Sequence, residues 1–372
     1  MDESKCRYCN SILKTLFLDL GKTPLANSYL EKKDLMEKEF SLPLNVYVCE
    51  KCFLVQLKEY EMPKKIFSDY VYFSSYSESW LNHAKKYVEK ITSKLNLDKE
   101  NFVIEIASND GYLLQFFDKK ITVLGIEPAK NIAEIAEEKN IETLNEFFSY
   151  DLAKKLSNLR TKPDLIIGNN VFAHIPDIND FLKGLKILLK NSGIITLEFP
   201  HLLELIRHKQ FDTIYHEHLF YFSFIVVKEI FSSHKLEIFD VEKLKTHGGS
   251  LRIYAKHKEN NDFPINKRVK ALLDEEQEFG FTNIKFYDNF DKKIKKIKKD
   301  FFDFIMKAKN ENKKIVCYGA PAKGNTFLNY CKIDSKIIDY TVDKNPHKQG
   351  KFLPGTHIEI KNIEEIEKTK PD

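Results

Sequence analysis

The segment FVIEIASNDG (102–111) joins an apolar run typical of a buried strand to a short polar turn. Three further apolar runs follow it: TVLGIE (122–127), DLIIGNN (164–170) and GIITLEFP (193–200). Segments of helical character separate these runs, and this alternation predicts a parallel sheet with helices on both faces. We therefore expect an α/β fold in which ligands bind beyond the carboxyl ends of the strands.

The segments around these strands complete the expected sheet. YLLQFF (112–117) predicts a helix directly after the first turn, and Pro128 opens the helix AKNIAEIAEE. A short third strand is expected near Glu142 to Leu144, and 172–189 runs into a helix. The stretch 238–257 predicts two antiparallel strands that close the sheet.

Polar side chains follow the predicted strands where a ligand would bind. Asp110 and Gly111 follow the first strand, and Glu127 ends the second, 22 residues after Glu105, where it can accept hydrogen bonds from ribose hydroxyls. Such an acid suits NAD or S-adenosylmethionine equally. An NAD site, however, favours GxGxxG for the pyrophosphate, whereas EIASNDG has one glycine and brings an acid near the turn. A cationic ligand without phosphates, such as S-adenosylmethionine, fits better.

The stretch FDTIYHEHLFYFS (211–223) places five groups that can take, give or hold a proton within seven residues, namely Tyr215, His216, Glu217, His218 and Tyr221. Such groups tune one another's pKa values, as a site of proton abstraction requires. Two alternatives are a polar loop with ordinary surface histidines and a metal site, although no third and fourth ligand lies nearby. The residues alone leave His216 and His218 equal as candidate bases.

Two CxxC pairs lie near the start of the chain and predict a metal site. They are separated by 39 residues, and each can wrap one edge of a tetrahedral ion; together they comprise Cys6, Cys9, Cys49 and Cys52. The pattern predicts structural zinc that folds a module too small for its own core, with disulfides or redox activity as the alternatives.

An aromatic segment, KIFSDYVYFSSYSESW (65–80), precedes an amphipathic helix that starts at Trp80. Its tyrosines, including Tyr70, Tyr72 and Tyr76, have spacings of two and four that mix strand and helix periods. These residues suit either core packing or a lid over a polar ligand.

The C-terminal part of the chain predicts a second βα unit. After a helical, charged connector (262–312), KIVCYGAPAKGNTFLNYC (314–331) reads as a buried strand, a glycine turn and a helix, and 337–343 as the next strand. Gly319, Lys323 and Gly324 form a candidate nucleotide cradle. Another strand would be due where the sequence ends, so we expect either a missing strand or a small sheet.

Composition indicates a globular protein of two or three domains: 372 residues, 42% hydrophobic and 31% charged. The net charge of +4 is spread out and only five basic residues are arginine, which argues against nucleic-acid binding. We expect no signal peptide and no membrane span, a cytoplasmic location and reduced thiols. The sequence does not indicate an oligomeric state.

Nearly the whole chain resembles the sugar C-methyltransferases that act on nucleotide-linked 4-keto deoxysugars. The resemblance is carried, in order, by the paired CxxC module and by EIASNDGYLL, FDTIYHEHLFYFS, THGGSLRIY, YGAPAKGNT and VDKNPHKQGKFLPGTHI. One departure is Ala107, where the family usually has glycine; a methyl group there should be tolerated but would crowd the methionine moiety. The other is the end at Asp372, since relatives continue through another strand.

The resemblance implies a class I methyltransferase (Rossmann-like) core, a small N-terminal zinc-binding module and a C-terminal Rossmann-like domain. The expected boundaries are 1–62 for the zinc module, 63–258 for the methyltransferase domain, 259–312 for the connector and 313–372 for the C-terminal domain. His218 would be the general base that removes the proton beside the keto group, giving an enolate that attacks the methyl of S-adenosylmethionine. The sugar nucleotide would lie between the last two domains.

By the same resemblance and the residues above, we expect three sets of site residues. Those expected to act in catalysis are His218, Glu217, Tyr215, His216, His174 and Tyr76. Those expected to hold the cofactor are Glu105, Ala107, Asn109, Asp110, Gly111, Glu127, Asn169 and Asn170. Those expected to hold the substrate are Tyr72, Tyr221, His247, Arg252, Gly319 and Lys323.

Other functions remain open from the sequence. An O- or N-methyltransferase would use the same cofactor and a base but no donors to an enolate, and the crowded YHEH sequence argues mildly against it. A nicotinamide-dependent dehydrogenase or epimerase is opposed by the glycine-poor first turn. A non-catalytic binding protein would have no need for the full set of titratable groups.

Overall fold

The computed structural model describes residues 4–58 and 73–372. In those ranges the strands are β1 (Thr15–Pro24), β2 (Ser41–Val48), β3 (Val55–Leu57), β4 (Phe102–Ile106), β5 (Thr122–Ile126), β6 (Thr143–Leu144), β7 (Leu165–Asn169), β8 (Ile194–Pro200), β9 (Phe220–Tyr221), β10 (Leu236–Leu244), β11 (Ser250–His257), β12 (Cys317–Tyr318), β13 (Thr341–Val342) and β14 (Ile360–Lys361). The α-helices are α1 (Glu78–Leu95), α2 (Lys130–Glu138), α3 (Tyr150–Leu159), α4 (Ile178–Leu188), α5 (Leu202–His208), α6 (Phe224–Ser233), α7 (Lys267–Phe279), α8 (Phe290–Asn310), α9 (Ala322–Cys331) and α10 (Glu365–Thr369).

The central sheet has seven strands in the order β10-β11-β8-β7-β4-β5-β6. The five strands from β8 to β6 are parallel, and β10 and β11 form an antiparallel pair at one edge. Every residue of β4 and β7 is buried, as expected of parallel strands covered on both faces. The parallel sheet, the short third strand and the closing antiparallel pair predicted from the sequence are confirmed.

The prediction of a helix over 112–117 is wrong. That segment forms only one 3-10 turn, Leu114–Phe116, and the Gln115 side chain donates a hydrogen bond to the carbonyl of Tyr112 at 2.7 Å. Six residues between the first turn and Asp118 are too few to offset the cost of helix nucleation. Burial of Tyr112, Leu113 and Leu114 therefore decides the local conformation.

The N-terminal sheet has the order β1-β2-β3-β9. Its fourth strand, β9, belongs to the 211–223 stretch and pairs antiparallel with β3. The stretch that carries the candidate base is thus fastened to the N-terminal module by backbone hydrogen bonds.

The C-terminal sheet consists of three short parallel strands in the order β12-β13-β14. The buried strand predicted within 314–318 is instead a two-residue edge strand, and Tyr318 is 69% exposed. As an edge strand, β12 pairs only with β13. The helical connector is confirmed as α7 and α8. Among the described residues, no helix combines the length and the apolarity needed to cross a membrane.

A buried carboxylate joins the connector to the central domain. Glu276 of α7 is 0% exposed and accepts hydrogen bonds from His201 Nε2 at 2.6 Å and from the backbone amides of Phe224 and Ile225 at 2.6 and 2.7 Å. Those two amides begin α6, where a negative charge also interacts favourably with the helix dipole.

We expect Glu276→Ala to lower the free energy of unfolding by about 3–5 kcal/mol, because it leaves three buried donors without a partner. Urea denaturation checks this. The matched control is Glu275→Ala, which removes a partly exposed carboxylate paired with Arg207 and Lys243, and we expect it to cost less than about 1 kcal/mol. Equal effects of the two substitutions would contradict this account of Glu276.

Candidate active site

The four cysteines of the N-terminal module lie together. Sγ of Cys6 is 3.6 Å from Sγ of Cys52, Sγ of Cys9 is 3.5 Å from Sγ of Cys49, and all four sulfurs lie within 4.8 Å of one another. Four thiolates around zinc at about 2.3 Å would be separated by roughly 3.8 Å, so the arrangement fits a closed tetrahedral site. Zinc bound there has no open position and serves to fold the module.

The turn that follows β4 (residues 107–111), called the cofactor turn below, is held by Glu127, which directly follows β5. Its two carboxylate oxygens accept hydrogen bonds from the backbone amides of Asn109 and Ala129, at 3.0 and 2.9 Å. Burial raises the pKa of Glu127 to about 7. Burial also raises the pKa of Glu105, which lies on β4, well above its usual range. Glu127 thus fixes the turn, and each of its oxygens keeps a lone pair for a ribose hydroxyl.

Two buried acceptor oxygens, on Asp110 in this turn and on Asn169 at the end of β7, are available to a ligand. Asp110 Oδ1 and Asn169 Oδ1 are buried and have no hydrogen-bond partner among the described residues. Acceptors of this kind match the donors of an amino-acid ammonium and of hydroxyl groups, and they suit a cationic ligand. The arrangement fits S-adenosylmethionine. Gly111 has φ of 73°, a left-handed conformation that favours glycine, and a Cβ atom there would also come within 2.4 Å of Ile141 Cδ1.

Ala107 adopts a left-handed backbone conformation, with φ of 55°. This conformation disfavours every residue with a Cβ atom relative to glycine, which explains in physical terms why a glycine would suit the position. The departure noted in the sequence therefore has a conformational cost in addition to any crowding of the ligand.

Two asparagines at the carboxyl end of β7, Asn169 within the strand and Asn170 after it, have different neighbours. Asn169 Nδ2 lies 3.5 Å from the hydroxyl of Tyr112, on the side of the cofactor turn. Asn170 Nδ2 lies 3.0 Å from Nε2 of His247, and Lys323 Nζ lies 3.5 Å from the carbonyl oxygen of His247. Asn170, His247 and Lys323 are thus brought together from three separate parts of the chain.

His218 lies at the centre of the 211–223 stretch. Its Nδ1 donates a hydrogen bond to the carbonyl of Thr213 at 2.8 Å, which leaves Nε2 as the basic nitrogen. Its ring centroid is 4.0 Å from that of Tyr215 and 4.8 Å from that of His174. Burial, with smaller contributions from His174 and Lys323, holds the pKa of His218 well below its usual range. Burial also lowers the pKa of His174, to about 4.

The structure separates His216 from His218. His216 Nε2 donates to the carbonyl of Pro43 on β2 at 3.3 Å, so this ring faces the N-terminal module. Glu217 is buried, and its Oε1 accepts a hydrogen bond from Asn27 Nδ2 at 2.7 Å. Among the described residues, only the four cysteines group as metal ligands do, and the two histidines have different partners. The geometry therefore favours His218 as the base and gives no support to a metal site here.

Arg252 and Tyr221, both predicted to hold the substrate, are buried. Arg252 is 3% exposed, and its guanidinium pairs with the buried Glu198 and lies 4.3 Å from the Tyr87 ring centroid. An arginine engaged in this way is placed to hold Glu198, and the expectation that it contacts the substrate is not supported. Tyr221 is buried in β9 and lines a small cavity with His218.

Tyr76 lies close to the start of the second described range, 73–372. Tyr76 is 62% exposed, and its hydroxyl lies 3.5 Å from Nε2 of His347 in the C-terminal domain. Tyr72 lies outside the described residues. Gly319, with φ of 93°, forms the turn between β12 and α9.

Trp80 also lies at the site, although it is not among the site residues predicted from the sequence. Its ring centroid lies 5.9 Å from that of Tyr112, 5.0 Å from that of His83 and 5.2 Å from that of His247. It is the only tryptophan in the chain. Its place between the cofactor turn and the His247 loop makes it a natural fluorescent reporter of ligand binding.

The seven-stranded sheet and a turn lined by acceptors rather than by a glycine-rich phosphate loop define a class I S-adenosylmethionine-dependent methyltransferase. Three family models match the chain in succession: a candidate zinc-binding domain over residues 6–67, a methyltransferase domain over 80–238 and a C-methyltransferase C-terminal domain over 245–372.

C-methyltransferase NovU of Streptomyces niveus is 32% identical over 369 residues, which cover 99% of this chain and 88% of that protein. The chain therefore belongs to the S-adenosylmethionine-dependent C-methyltransferase family that includes this relative.

Similar solved structures include two methyltransferases. An S-adenosylmethionine-dependent methyltransferase from Clostridium acetobutylicum has 12% identity and a TM-score of 0.37, with 47% of this chain and 91% of that chain covered. Magnesium protoporphyrin IX methyltransferase from Synechocystis, with bound S-adenosylhomocysteine, has 16% identity and a TM-score of 0.37, with 52% and 90% covered. The class I fold is established by the strand order and the family models and not by these two similarities.

We expect Ala107→Gly to raise the free energy of unfolding by about 1 kcal/mol, because glycine relieves the left-handed strain at a smaller entropic cost. Urea denaturation of the ligand-free protein measures the change. Ala271→Gly is the control, since Ala271 is exposed in the helix α7 and glycine there should lower stability by about 1 kcal/mol. A loss of stability in Ala107→Gly would contradict the strain argument.

Proposed function

We propose that the protein methylates a carbon of a nucleotide-linked keto-deoxysugar, next to the keto group, with His218 as the general base. The observation that carries the proposal is the hydrogen bond from His218 Nδ1 to the Thr213 carbonyl. It fixes the tautomer in which Nε2 has a free lone pair. The low pKa of His218 keeps that nitrogen unprotonated at neutral pH.

The proton that His218 removes is weakly acidic, so the ketone oxygen needs stabilisation as it gains negative charge. Hydrogen-bond donors aimed at such an oxygen each contribute roughly 3–4 kcal/mol. The Tyr215 ring packs against the ring of His218, and the Asn170 amide lies beside His247. The Tyr215 hydroxyl and the Asn170 amide are the candidates for this role. His174 and Glu217 would orient the base and the sugar.

The cofactor would be held by the turn after β4 together with Glu127 and Asn169. When bound, S-adenosylmethionine supplies the methyl group to the nucleophilic carbon. The nucleotide would lie against the turn at Gly319 and the start of α9, where backbone amides and Lys323 favour an anion. The sugar would then lie between the methyltransferase domain and the C-terminal domain.

The proposal is tested by hydrogen exchange at the carbon to be methylated. The protein is incubated with a nucleotide-linked 4-keto-6-deoxysugar in heavy water, with S-adenosylhomocysteine and then with S-adenosylmethionine. We expect deuterium at the α carbon, and one added methyl on carbon when the methyl donor is present. His218→Ala should slow both reactions by roughly 10²–10⁴-fold, and His216→Ala, two residues away, should be close to wild type.

Two results would overturn the proposal. A methyl group found on oxygen or nitrogen would assign an O- or N-methyltransferase instead. Absence of both exchange and methyl transfer over a panel of keto-sugars would exclude this substrate class while leaving the cofactor assignment intact.

The pH dependence of kcat/KM gives a further prediction. His218 must be neutral to act as a base, and its pKa is lowered by burial. We therefore expect kcat/KM to stay constant as the pH falls from 8 through about 6.5, the ordinary pKa of imidazole, and to decline only at lower pH. The measurement is made with S-adenosylmethionine saturating, so that the bound cation keeps Glu127 ionised. An acid limb centred at or above pH 6.5 would then contradict the assignment of the buried His218 as the base.

A further inference from the structure

The segment Ala26–Leu30 of the zinc module, which follows β1, contacts two other parts of the molecule. On one side, Asn27 Nδ2 donates to Glu217 Oε1 at 2.7 Å. On the other, Tyr29 donates its hydroxyl hydrogen to the carbonyl of Ala320 at 2.7 Å. The segment therefore lies between the stretch that carries His218 and the turn that opens the C-terminal helix α9.

Glu217 is the point through which Asn27 can act on the base. It is 5% exposed, and it lies in the chain directly before His218. Its backbone is hydrogen-bonded to the ring of His174, which packs against the ring of His218. A change in the position of Glu217 would therefore move both histidines. The amide of Asn27 donates to a buried carboxylate, and charge-assisted hydrogen bonds of this kind are stronger than neutral ones.

Ala320 is the point through which Tyr29 can act on the C-terminal domain. The Ala320 carbonyl also accepts a hydrogen bond from Lys348 Nζ at 2.9 Å, and that ammonium lies 5.0 Å from the Tyr29 ring centroid. The Ala320 amide donates to Asp343 Oδ2 at 2.8 Å. Ala320 lies three residues before Lys323, whose ammonium reaches the His247 loop. The turn is thus fixed from both sides.

Further contacts keep the Ala26–Leu30 segment against the C-terminal domain. Asn325 of α9 donates from Nδ2 to the carbonyl of Ala26 at 3.2 Å. Leu30 and Phe352 exchange two backbone hydrogen bonds, at 2.9 and 2.8 Å. Backbone pairing of this kind leaves the segment little freedom to slide.

We propose that Asn27 and Tyr29 are positioning residues of the methyl-transfer site, supplied by the zinc module. Asn27 holds Glu217, and through it His174 and His218, in the geometry for proton removal. Tyr29 holds the Gly319–Pro321 turn at the distance from His218 that the sugar nucleotide requires. The inference rests on the proposed function, since it assigns these residues a role in the same reaction.

The two residues should affect different kinetic constants. Loss of the Asn27 hydrogen bond disturbs the base, so Asn27→Ala should lower kcat by about 10–100-fold and change KM for the sugar nucleotide less than about threefold. Tyr29→Phe removes only the hydroxyl that holds the turn, so it should raise this KM by about tenfold with a smaller change in kcat. Neither should change the affinity for S-adenosylhomocysteine, followed by the fluorescence of Trp80.

The experiment compares the wild-type chain with Asn27→Ala, Asn27→Asp, Tyr29→Phe and Ser28→Ala, all with zinc bound. Asn27→Asp keeps the shape of the side chain, but it can hydrogen-bond to Glu217 only while the two carboxyl groups share a proton, so its loss of kcat should grow as the pH rises. Ser28 is exposed in the same segment, and its alanine variant should behave as wild type. Zinc content and thermal unfolding confirm that each variant is folded.

The outcomes separate the two proposals. If the wild type shows neither α-carbon exchange nor methyl transfer, the proposed function fails. If the wild type is active and Asn27→Ala retains its kcat, the positioning role of Asn27 is wrong. If Tyr29→Phe leaves KM unchanged, the role of Tyr29 is wrong. Parallel losses of kcat, cofactor affinity and thermal stability in either variant would show a general structural role and would also overturn the inference.

Discussion

Backbone pairing between β3 and β9 is the constraint on which the rest of the site depends. Val55 and Gln56 pair with Tyr221 and Phe220, and just before them Leu219 accepts from the Leu57 amide and donates to the Ala173 carbonyl. Leu219 follows His218, and Ala173 precedes His174. These hydrogen bonds therefore bring the two histidines together and fasten both to the N-terminal sheet. His218, the proposed base, is positioned by a strand that completes another domain's sheet, and its geometry depends on that domain being folded.

Burial shifts the pKa values in the two parts of the site in opposite directions. It raises the pKa of the carboxyl groups beside the cofactor turn, including Glu105 and Glu127, and lowers the pKa of His174 and His218. Both changes favour the neutral form, because a low-dielectric site disfavours charge of either sign. A cationic cofactor would offset the first change by stabilising the carboxylates. The second change leaves a neutral imidazole, which is the form that a general base requires.

Short-range sequence features predicted the parts of this protein that depend on local pattern. The apolar runs gave the central sheet, and the CxxC spacing gave the cysteine cluster. The residues by themselves could not distinguish His216 from His218, and only the family resemblance favoured His218. Both rings have similar neighbours in the chain and differ in what the fold places against them. The same applies to Arg252, which ends beside Glu198 because β11 pairs with β8. It applies also to Asn27, whose partner lies 190 residues away. The helix expected over 112–117 does not form, because burial overrides helix propensity in so short a segment.

In the proposed site, the zinc module contributes geometry without contributing chemistry. Its buried side chains, such as Phe17 and Val46, pack into a hydrophobic core shared with the central and C-terminal domains, and zinc binding adds to the folding free energy of the module. One edge of its sheet accepts β9, and the segment after its first strand contacts the C-terminal turn. Binding of zinc therefore stabilises a rigid element that touches both of the domains proposed to enclose the substrate. A base and a nucleotide cradle on separate domains require such an element, because catalysis by positioning is lost when the groups are misplaced by about 1 Å.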